Sequence, residues 1–195
     1  MTNRTPEIKA GLYFFSVACL IAMSFALTAA AQETPRIAVS AGYSYLRFDS
    51  TTLGFEEKTD LHGGNAGVAY NLTPYFGVAA EAGGHYGSHL RFAEWLIGPR
   101  LYYHKWGADL FGHFMFGRGQ ARIDVTDPFK STGRAFAVGG GIDYPISSHF
   151  SFRVVQADYL SSHTLDQDQR SLRLTTGLVF RWGVVAKHKP QLAAP

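Results

Sequence analysis

The feature that most constrains the fold is an alternation of bulky apolar and small side chains that recurs in eight segments. In the first segment, Ile37, Val39 and Tyr43 are apolar, whereas the intervening Ser40 and Gly42 are small. Successive side chains of a β-strand point to opposite faces, so a period of two residues predicts strands rather than helices. The other segments lie near residues 65–72, 76–83, 92–103, 108–118, 135–144, 150–160 and 171–182. The chain is therefore predicted to be all-β.

The small residues between the bulky ones form the second face of each strand, and the composition of this face indicates what surrounds the strands. A water-soluble barrel turns its apolar face inward and needs a charged outer face, but here the second face is mostly glycine, alanine and serine. Only 17% of the residues are charged, compared with about a quarter in ordinary soluble domains. Eight strands with one apolar face predict an antiparallel up-and-down transmembrane β-barrel. A soluble periplasmic lipocalin-like carrier of an apolar ligand is the alternative.

The amino terminus has the pattern of an export signal. Arg4 and Lys9 precede an uncharged run over residues 10–31 that ends in three alanines. This order of basic, apolar and small residues predicts a signal peptide cleaved before Gln32. A retained anchor helix is the alternative, because the run is long enough to span a bilayer. We therefore expect a signal peptide at 1–31, an outer-membrane β-barrel domain at 32–183 and a short tail at 184–195.

The connections between the predicted strands alternate in length. Segments 49–61, 119–133 and 161–169 are long and polar and 87–91 is shorter, whereas the intervening links are tight turns. Outer-membrane barrels keep short turns on the periplasmic side and longer loops outside, so these four segments are expected to be extracellular. In the segment 150–160, unbroken alternation would place the polar Gln156 and Asp158 on the same face as the apolar Phe152 and Val154. A β-bulge within this strand would turn the two polar residues to the other face.

Charged residues of the second face would point into the barrel. On this assignment they are Glu81, Glu94, Arg100, Asp143, Arg153, Arg173 and Arg181. Charges in a medium of low dielectric constant must pair to offset desolvation, and an eight-stranded barrel is only wide enough for its own side chains. We expect a structural network that plugs the interior, with a gated pore lining as the alternative.

Candidate catalytic and metal-binding patterns are weak. Ser162, His163 and Asp166 have the residue types of a hydrolase triad in one loop, and a rim-active lipid-modifying enzyme is a second alternative. His85 and His89 would be about 13 Å apart on a strand, too far for one metal ion. The glycines at 139–141 lack a phosphate-loop lysine, and we expect them to allow close approach of a neighbour. We predict no enzyme activity, no cofactor and no metal.

The pattern over residues 36–183 resembles the OmpA-type family of small outer-membrane β-barrel domains. Three stretches carry the resemblance: residues 136–144, residues 150–153 with Asp158 and Tyr159, and residues 172–182. The resemblance implies location in the cell outer membrane, contact with its lipids and insertion by the barrel assembly machinery. That machinery would read the aromatic end of the last strand, here Phe180 and Trp182. A net charge of only +3 without a basic block argues against a nucleic-acid partner, and we expect a monomer.

Overall fold

The computed structural model describes residues 34–48, 59–87, 90–123, 129–164 and 167–185. All of its regular elements are strands: β1 (Pro35–Phe48), β2 (Thr59–Asn71), β3 (Phe76–Tyr86), β4 (Leu90–Lys105), β5 (Ala108–Ile123), β6 (Phe129–Pro145), β7 (Phe150–Thr164) and β8 (Gln167–Val184). Each strand pairs antiparallel with its sequence neighbours, and β1 pairs with β8 to close the barrel. The predicted fold class is confirmed. None of the described residues forms a helix long and apolar enough to cross a bilayer.

The predicted alternation determines which side chains face the barrel interior. Along β4, residues 90–101 alternate without exception between buried and exposed positions. Exposed large side chains include Tyr43, Trp95, Leu178 and Trp182, the last of which is 67% exposed. So continuous an apolar exterior is incompatible with a barrel dissolved in water. The soluble-carrier alternative therefore does not fit the fold.

Three tight turns connect strands at the end of the barrel where the described chain begins and finishes. Between β4 and β5, Trp106 and Gly107 have φ values of 54° and 74°, the positive pair required by a two-residue type I′ hairpin. In the other two turns a hydroxyl accepts hydrogen bonds from later backbone amides. Thr73 Oγ1 accepts from Phe76 N at 3.0 Å, and Ser147 Oγ accepts from Phe150 N at 3.1 Å.

The strands are longer than predicted and include parts of the segments that were expected to be connections. β3 has 11 residues and β8 has 18, whereas about 9–11 suffice to cross a bilayer. Within the expected loop 161–169, the described residues 161–164 and 167–169 are strand, and within 119–133 the described residues 119–123 and 129–133 are strand. These polar residues stay in strands because each hairpin arm continues to offer backbone hydrogen-bond partners to the other. The signal segment, residues 49–58 and the tail from 186 onward lie outside the described residues.

The expected bulge is present in β7. The pairing of β7 with β8 shifts between Arg153 and Gln156, so Val154 and Val155 are both exposed. The parity change turns Gln156 and Asp158 to the same inner face as Arg153, and all three are buried. The bulge therefore adds two polar side chains to the interior.

The glycines of β6 permit close approach, as expected. A Cβ atom at Gly139 would collide with the Asp158 carboxylate and the Ala157 carbonyl oxygen. At Gly141 it would lie 2.7 Å from the edge of the Phe111 ring. Larger residues at these positions would displace side chains that fill the interior.

Candidate functional site in the barrel interior

All seven charged residues assigned to the second face point into the barrel and are at most 8% exposed. They come from β3, β4, β6, β7 and β8, so they approach one another from different parts of the wall. The charges nearest the middle of the barrel are joined through Arg173, and the others form pairs nearer the end with the three tight turns.

Arg173 on β8 lies at the centre of the network and is fully buried. Its Nη1 donates to Glu94 Oε1 at 3.0 Å, and its Nη2 donates to Glu81 Oε2 at 2.7 Å. Its Nη2 and Nε also donate to Asp158 Oδ2, at 2.6 and 3.0 Å. One guanidinium thus bridges carboxylates from three other strands across the interior.

Two further arginines extend the network. Arg100 Nη2 donates to Glu81 Oε1 at 2.7 Å, and Arg153 binds Asp143 in a fork, at 2.8 Å from Nε and 3.0 Å from Nη2. Both guanidinium groups also lie against the Phe111 ring, 4.5 and 4.6 Å from its centroid. Phe111 therefore contacts two cations that the carboxylates neutralise.

Sequence reasoning missed several polar members of the interior. Asp158 was not assigned to the inner face, because the bulge changes the alternation within β7. In the structure it contacts both Arg173 and His113. His113 Nδ1 accepts from Arg100, which can only donate, so its Nε2 carries the proton donated to Asp158 at 2.7 Å. Gln156 links the groups by accepting from Arg153 and donating to Glu81 and Asp158. For His113 the alternation along β5 was an available signal, because it places His113 on the inner face when its neighbour Phe114 points outward.

A second missed pair lies nearer the end of the barrel with the three tight turns. Asp109 accepts from Arg181 Nη1 at 3.2 Å, and its other oxygen lies 2.6 Å from His104 Nδ1. The second ring nitrogen of His104 lies 2.9 Å from the Pro74 carbonyl oxygen. Thr34 Oγ1 lies farther from the same nitrogen, at 3.3 Å. The nearest partner of each ring nitrogen is an acceptor, an arrangement that suits an imidazolium donating from both nitrogens. With Asp109 and Asp158 included, the interior charges bring five carboxylates together with four arginines and this histidine.

Apolar side chains fill the interior above the charged network, toward the connections 49–58 and 88–89. Leu46, Leu61, Leu90 and Phe92 are at most 7% exposed and belong to one buried cluster. On β4 the inward order is Leu90, Phe92, Glu94, which places the apolar group directly above a network carboxylate. Water is thereby kept from the ion pairs on that side. Sequence analysis did not predict this layer.

The charged part of the interior contains a small cavity. A cavity lined by Arg100, Asp109, Asp143 and Arg181 holds about 20 Å³, which is room for about one water molecule. Arg100 Nε and Arg181 Nε are buried there without a hydrogen-bond partner. A bound water would satisfy these donors, whereas an organic ligand would not fit.

The catalytic and metal candidates are not assembled in the described part of the chain. Ser162 is buried on the inner face of β7, while His163 is exposed on the outer face, and Asp166 lies outside the described residues. His85 is buried, with its Nε2 2.9 Å from Ser44 Oγ and its Nδ1 3.4 Å from Glu94 Oε2, and His89 lies outside the described residues. No group of three metal-ligating side chains occurs within the described ranges.

Comparison with known proteins agrees with this architecture. The model of the outer membrane protein beta-barrel domain family matches residues 15–180. No curated protein matches the sequence.

Several solved structures share the fold. Ail, the attachment invasion locus protein of Yersinia pestis, is 18% identical, with a TM-score of 0.55 over 76% of this chain and 99% of its own. Neisserial surface protein A is 13% identical, with a TM-score of 0.57 over 75% of this chain and 97% of its own. OprG from Pseudomonas aeruginosa is 11% identical, with a TM-score of 0.51 over 78% of this chain and 98% of its own. At these identities the likeness establishes the barrel fold.

Proposed function

The chain belongs to the outer membrane protein β-barrel domain family and is located in the outer membrane, and from this premise we propose that it is a closed, non-enzymatic barrel. Its role is structural or in surface interaction, and its interior is plugged by paired charges. It acts as a monomer that contacts outer-membrane lipids, is inserted by the barrel assembly machinery and has no nucleic-acid partner.

The observation that carries this proposal is the position of Arg173. It is fully buried and bonded to carboxylates on β3, β4 and β7, so its side chain and theirs occupy the middle of the interior. Separating these groups would expose several desolvated charges at once, which is strongly unfavourable. The apolar cluster of Leu46, Leu61, Leu90 and Phe92 supports closure from the other side.

The arrangement of the candidate catalytic groups supports a non-enzymatic role. Ser162 and His163 point to opposite sides of the wall, so the hydroxyl and the imidazole are not placed for proton transfer between them. The single-water size of the cavity likewise argues against carriage of an apolar ligand through the interior. Both observations favour interaction through the outer wall of the barrel and through the end with the connections that are expected to be extracellular.

Ion conductance of the purified, folded protein tests closure. We expect the native protein to produce no steady current in planar bilayers. Arg173→Ala removes the central guanidinium, and we expect either ion leakage or a loss of about 3–5 kcal/mol in the free energy of unfolding, because three acids lose their partner. Arg170→Ala is the matched control, since Arg170 lies three residues away on β8 and is exposed.

The two variants make the result decisive. A control that behaves like the native protein, together with a leaking or destabilised Arg173→Ala, supports the charged plug. A steady native current unaffected by Arg173→Ala would contradict closure. An Arg173→Ala protein as stable and as tight as the native barrel would show that the network does not hold the interior closed.

A further inference from the structure

Two tyrosines, a histidine and an aspartate form a hydrogen-bonded cluster on the outer wall, toward the end of the barrel away from the three tight turns. The outer cluster consists of Tyr43 and Tyr45 on β1 and Asp60 and His62 on β2. Tyr43, Asp60 and His62 are exposed, and Tyr45 is half-buried. All four side chains lie on the outer face of the wall, so they take no part in the interior network.

The register of β1 with β2 brings the rings of the outer cluster together. Tyr45 pairs directly with His62, and Tyr43 lies on the diagonal of the same face. The Tyr45 and His62 ring centroids are 5.5 Å apart. Those of Tyr43 and His62 are 6.2 Å apart, and the two rings are stacked at 27°. The imidazole is therefore positioned by both phenol rings.

The hydroxyl of Tyr43 and Nδ1 of His62 are joined by a short hydrogen bond of 2.5 Å. A phenolic O–H is a stronger acid than an imidazole N–H, so we assign the proton to Tyr43, which donates to the ring nitrogen. This distance is at the short end of the range for hydroxyl donors, so the contact is direct, with no water between the two groups. A proton that leaves Tyr43 therefore has a base at its own oxygen.

This contact favours one-electron oxidation of the Tyr43 phenol. A phenol that loses an electron becomes a strongly acidic radical cation, so the electron leaves more easily when a positioned base takes the proton in the same step. The hydroxyl of Tyr45 also contacts a base, since it donates to Asp60 Oδ1 at 2.6 Å. A carboxylate is a weaker base than an imidazole, so Tyr43 has the better proton acceptor.

The outer cluster is accessible to a soluble oxidant. Tyr43 is 51% exposed, and the charged Asp60 beside it marks a level of the outer wall near the membrane interface, because charges on the midplane of a barrel wall are unfavourable. Tyr103 at the other end of the barrel is 57% exposed, and its hydroxyl has no hydrogen-bond partner among the described residues. Exposure alone would favour oxidation of Tyr103, whereas contact with a base favours Tyr43.

We propose that Tyr43 is a site of one-electron oxidation and that His62 is its proton acceptor. The phenol gives one electron to a soluble one-electron oxidant and its proton to His62 Nδ1, which leaves a neutral tyrosyl radical beside an imidazolium. Asp60 lies two residues from His62 on the same face, so a carboxylate is near the new positive charge. A one-electron reductant reverses the step when the imidazolium returns the proton. The proposal rests on the outer cluster and does not depend on a closed interior.

Residue-resolved radical trapping tests this site. The native protein, folded into lipid vesicles, is treated with ruthenium(III) tris-bipyridine that is generated by light in the presence of a cobalt(III) quencher. Tyrosyl radicals are trapped with 2-methyl-2-nitrosopropane, and peptide mass spectrometry quantifies the adduct at each tyrosine. We expect adduct to form at Tyr43 at least about tenfold faster than at Tyr103, a conservative value for the effect of a positioned base.

His62→Gln separates proton transfer from hydrogen bonding, because an amide oxygen can accept the hydrogen bond of the phenol but cannot take its proton. We expect this variant to lower adduct formation at Tyr43 to the level of Tyr103. His149→Gln is the matched control, since His149 is also exposed but lies in a turn at the other end of the barrel, and it should leave the Tyr43 rate unchanged. In the native protein, D2O should slow the reaction at Tyr43, because the proton moves with the electron.

Four outcomes would overturn the proposal. Equal rates at Tyr43 and Tyr103 in the native protein would show that contact with His62 confers no reactivity, and this comparison needs no variant to fold. A Tyr43 preference that survives His62→Gln would assign the reactivity to something other than the imidazole. Faster reaction at Tyr45 than at Tyr43 would assign the site to the pair with Asp60. A Tyr43 rate that is the same in H2O and D2O would show that the electron leaves without the proton.

Discussion

At the residue scale, the packing of the barrel interior depends on a glycine that leaves space for a neighbouring side chain as well as on the charged residues. Gly139 lies opposite Asp158 in the pairing of β6 with β7, and the Asp158 carboxylate occupies the space that a side chain at 139 would take. That carboxylate is the one that joins Arg173 to His113. A glycine in β6 is thus a condition for the central ion pair.

Replacing this glycine tests the dependence directly. We expect Gly139→Ala to lower the free energy of unfolding by about 1–3 kcal/mol, because the new methyl group meets the Ala157 carbonyl and lies 2.7 Å from Asp158 Cα. Gly112→Ala is the control, since a Cβ there meets only the Gly139 carbonyl oxygen at 3.7 Å. Denaturant titration in lipid vesicles measures both variants, and equal stabilities would refute the steric account.

At the element scale, each strand carries two environments on opposite faces. In β8, Leu172 and Leu178 are exposed on the outer wall, whereas Arg173, Thr175 and Val179 are buried inside. Thr175 also exchanges a hydrogen bond with Ser44 on β1, at 3.1 Å between the hydroxyl oxygens, across the seam that closes the barrel. A single strand therefore contributes residues to the outer wall, to the ion network and to the pairing with β1 that closes the barrel.

A charge placed on the outer face of β8 should be costly according to its depth. We expect Leu178→Arg to lower the free energy of unfolding in vesicles by roughly 2–4 kcal/mol, because the cation would lie in hydrocarbon. Val184→Arg is the control at the last residue of the strand, where the cost should fall to about 0–1 kcal/mol. Equal penalties at the two positions would contradict the depth assigned to the strand.

Thr175→Arg examines the inner face of the same strand. Thr175 is 4% exposed, so a guanidinium there would overfill an interior that is already packed. We expect a loss of at least about 1–3 kcal/mol by the same titration. A well-folded Thr175→Arg protein would indicate a wet interior with spare volume, contrary to a closed barrel.

At the scale of the whole molecule, the barrel combines a closed backbone ladder with an interior that contains both ion pairs and buried apolar side chains. The β1 and β8 pairing leaves no open edge, so the backbone groups of the wall are satisfied within the barrel, as hydrocarbon surroundings require. The ion pairs lie at the middle of the barrel and near the end with the three tight turns, and the apolar cluster lies toward the other end. Such a barrel is expected to unfold as one unit.

Export and folding of the whole chain are tested together. We expect the protein isolated from outer membranes to begin at Gln32 by mass spectrometry, because the alanines at 29–31 have the small-residue pattern typical of a processing site. The unboiled protein should also migrate on a denaturing gel differently from the boiled protein, since a closed ladder resists detergent at room temperature. A retained Met1 would favour the anchor-helix alternative.

The sequence by itself determined the number of strands, their antiparallel order and the side of the wall that each clear strand turns to lipid. The physical reason is local: a period of two residues needs no information about distant partners, and Leu174, Thr176 and Leu178 could be assigned from their neighbours alone. The seven inward charges were located in this way. The strand ends were not, because backbone pairing continues through polar residues such as Gln120 and Thr132 as long as the partner strand continues.

Only the tertiary structure decided which inward groups meet. Arg173 and Glu81 are separated by 92 positions and lie on strands that are not neighbours, so no local pattern links them. The β7 bulge decided the side of Asp158, and without it the central arginine would lack one of its three carboxylates. Alternation specifies the face of each residue, whereas contacts across the interior depend on the closure, stagger and diameter of the whole barrel.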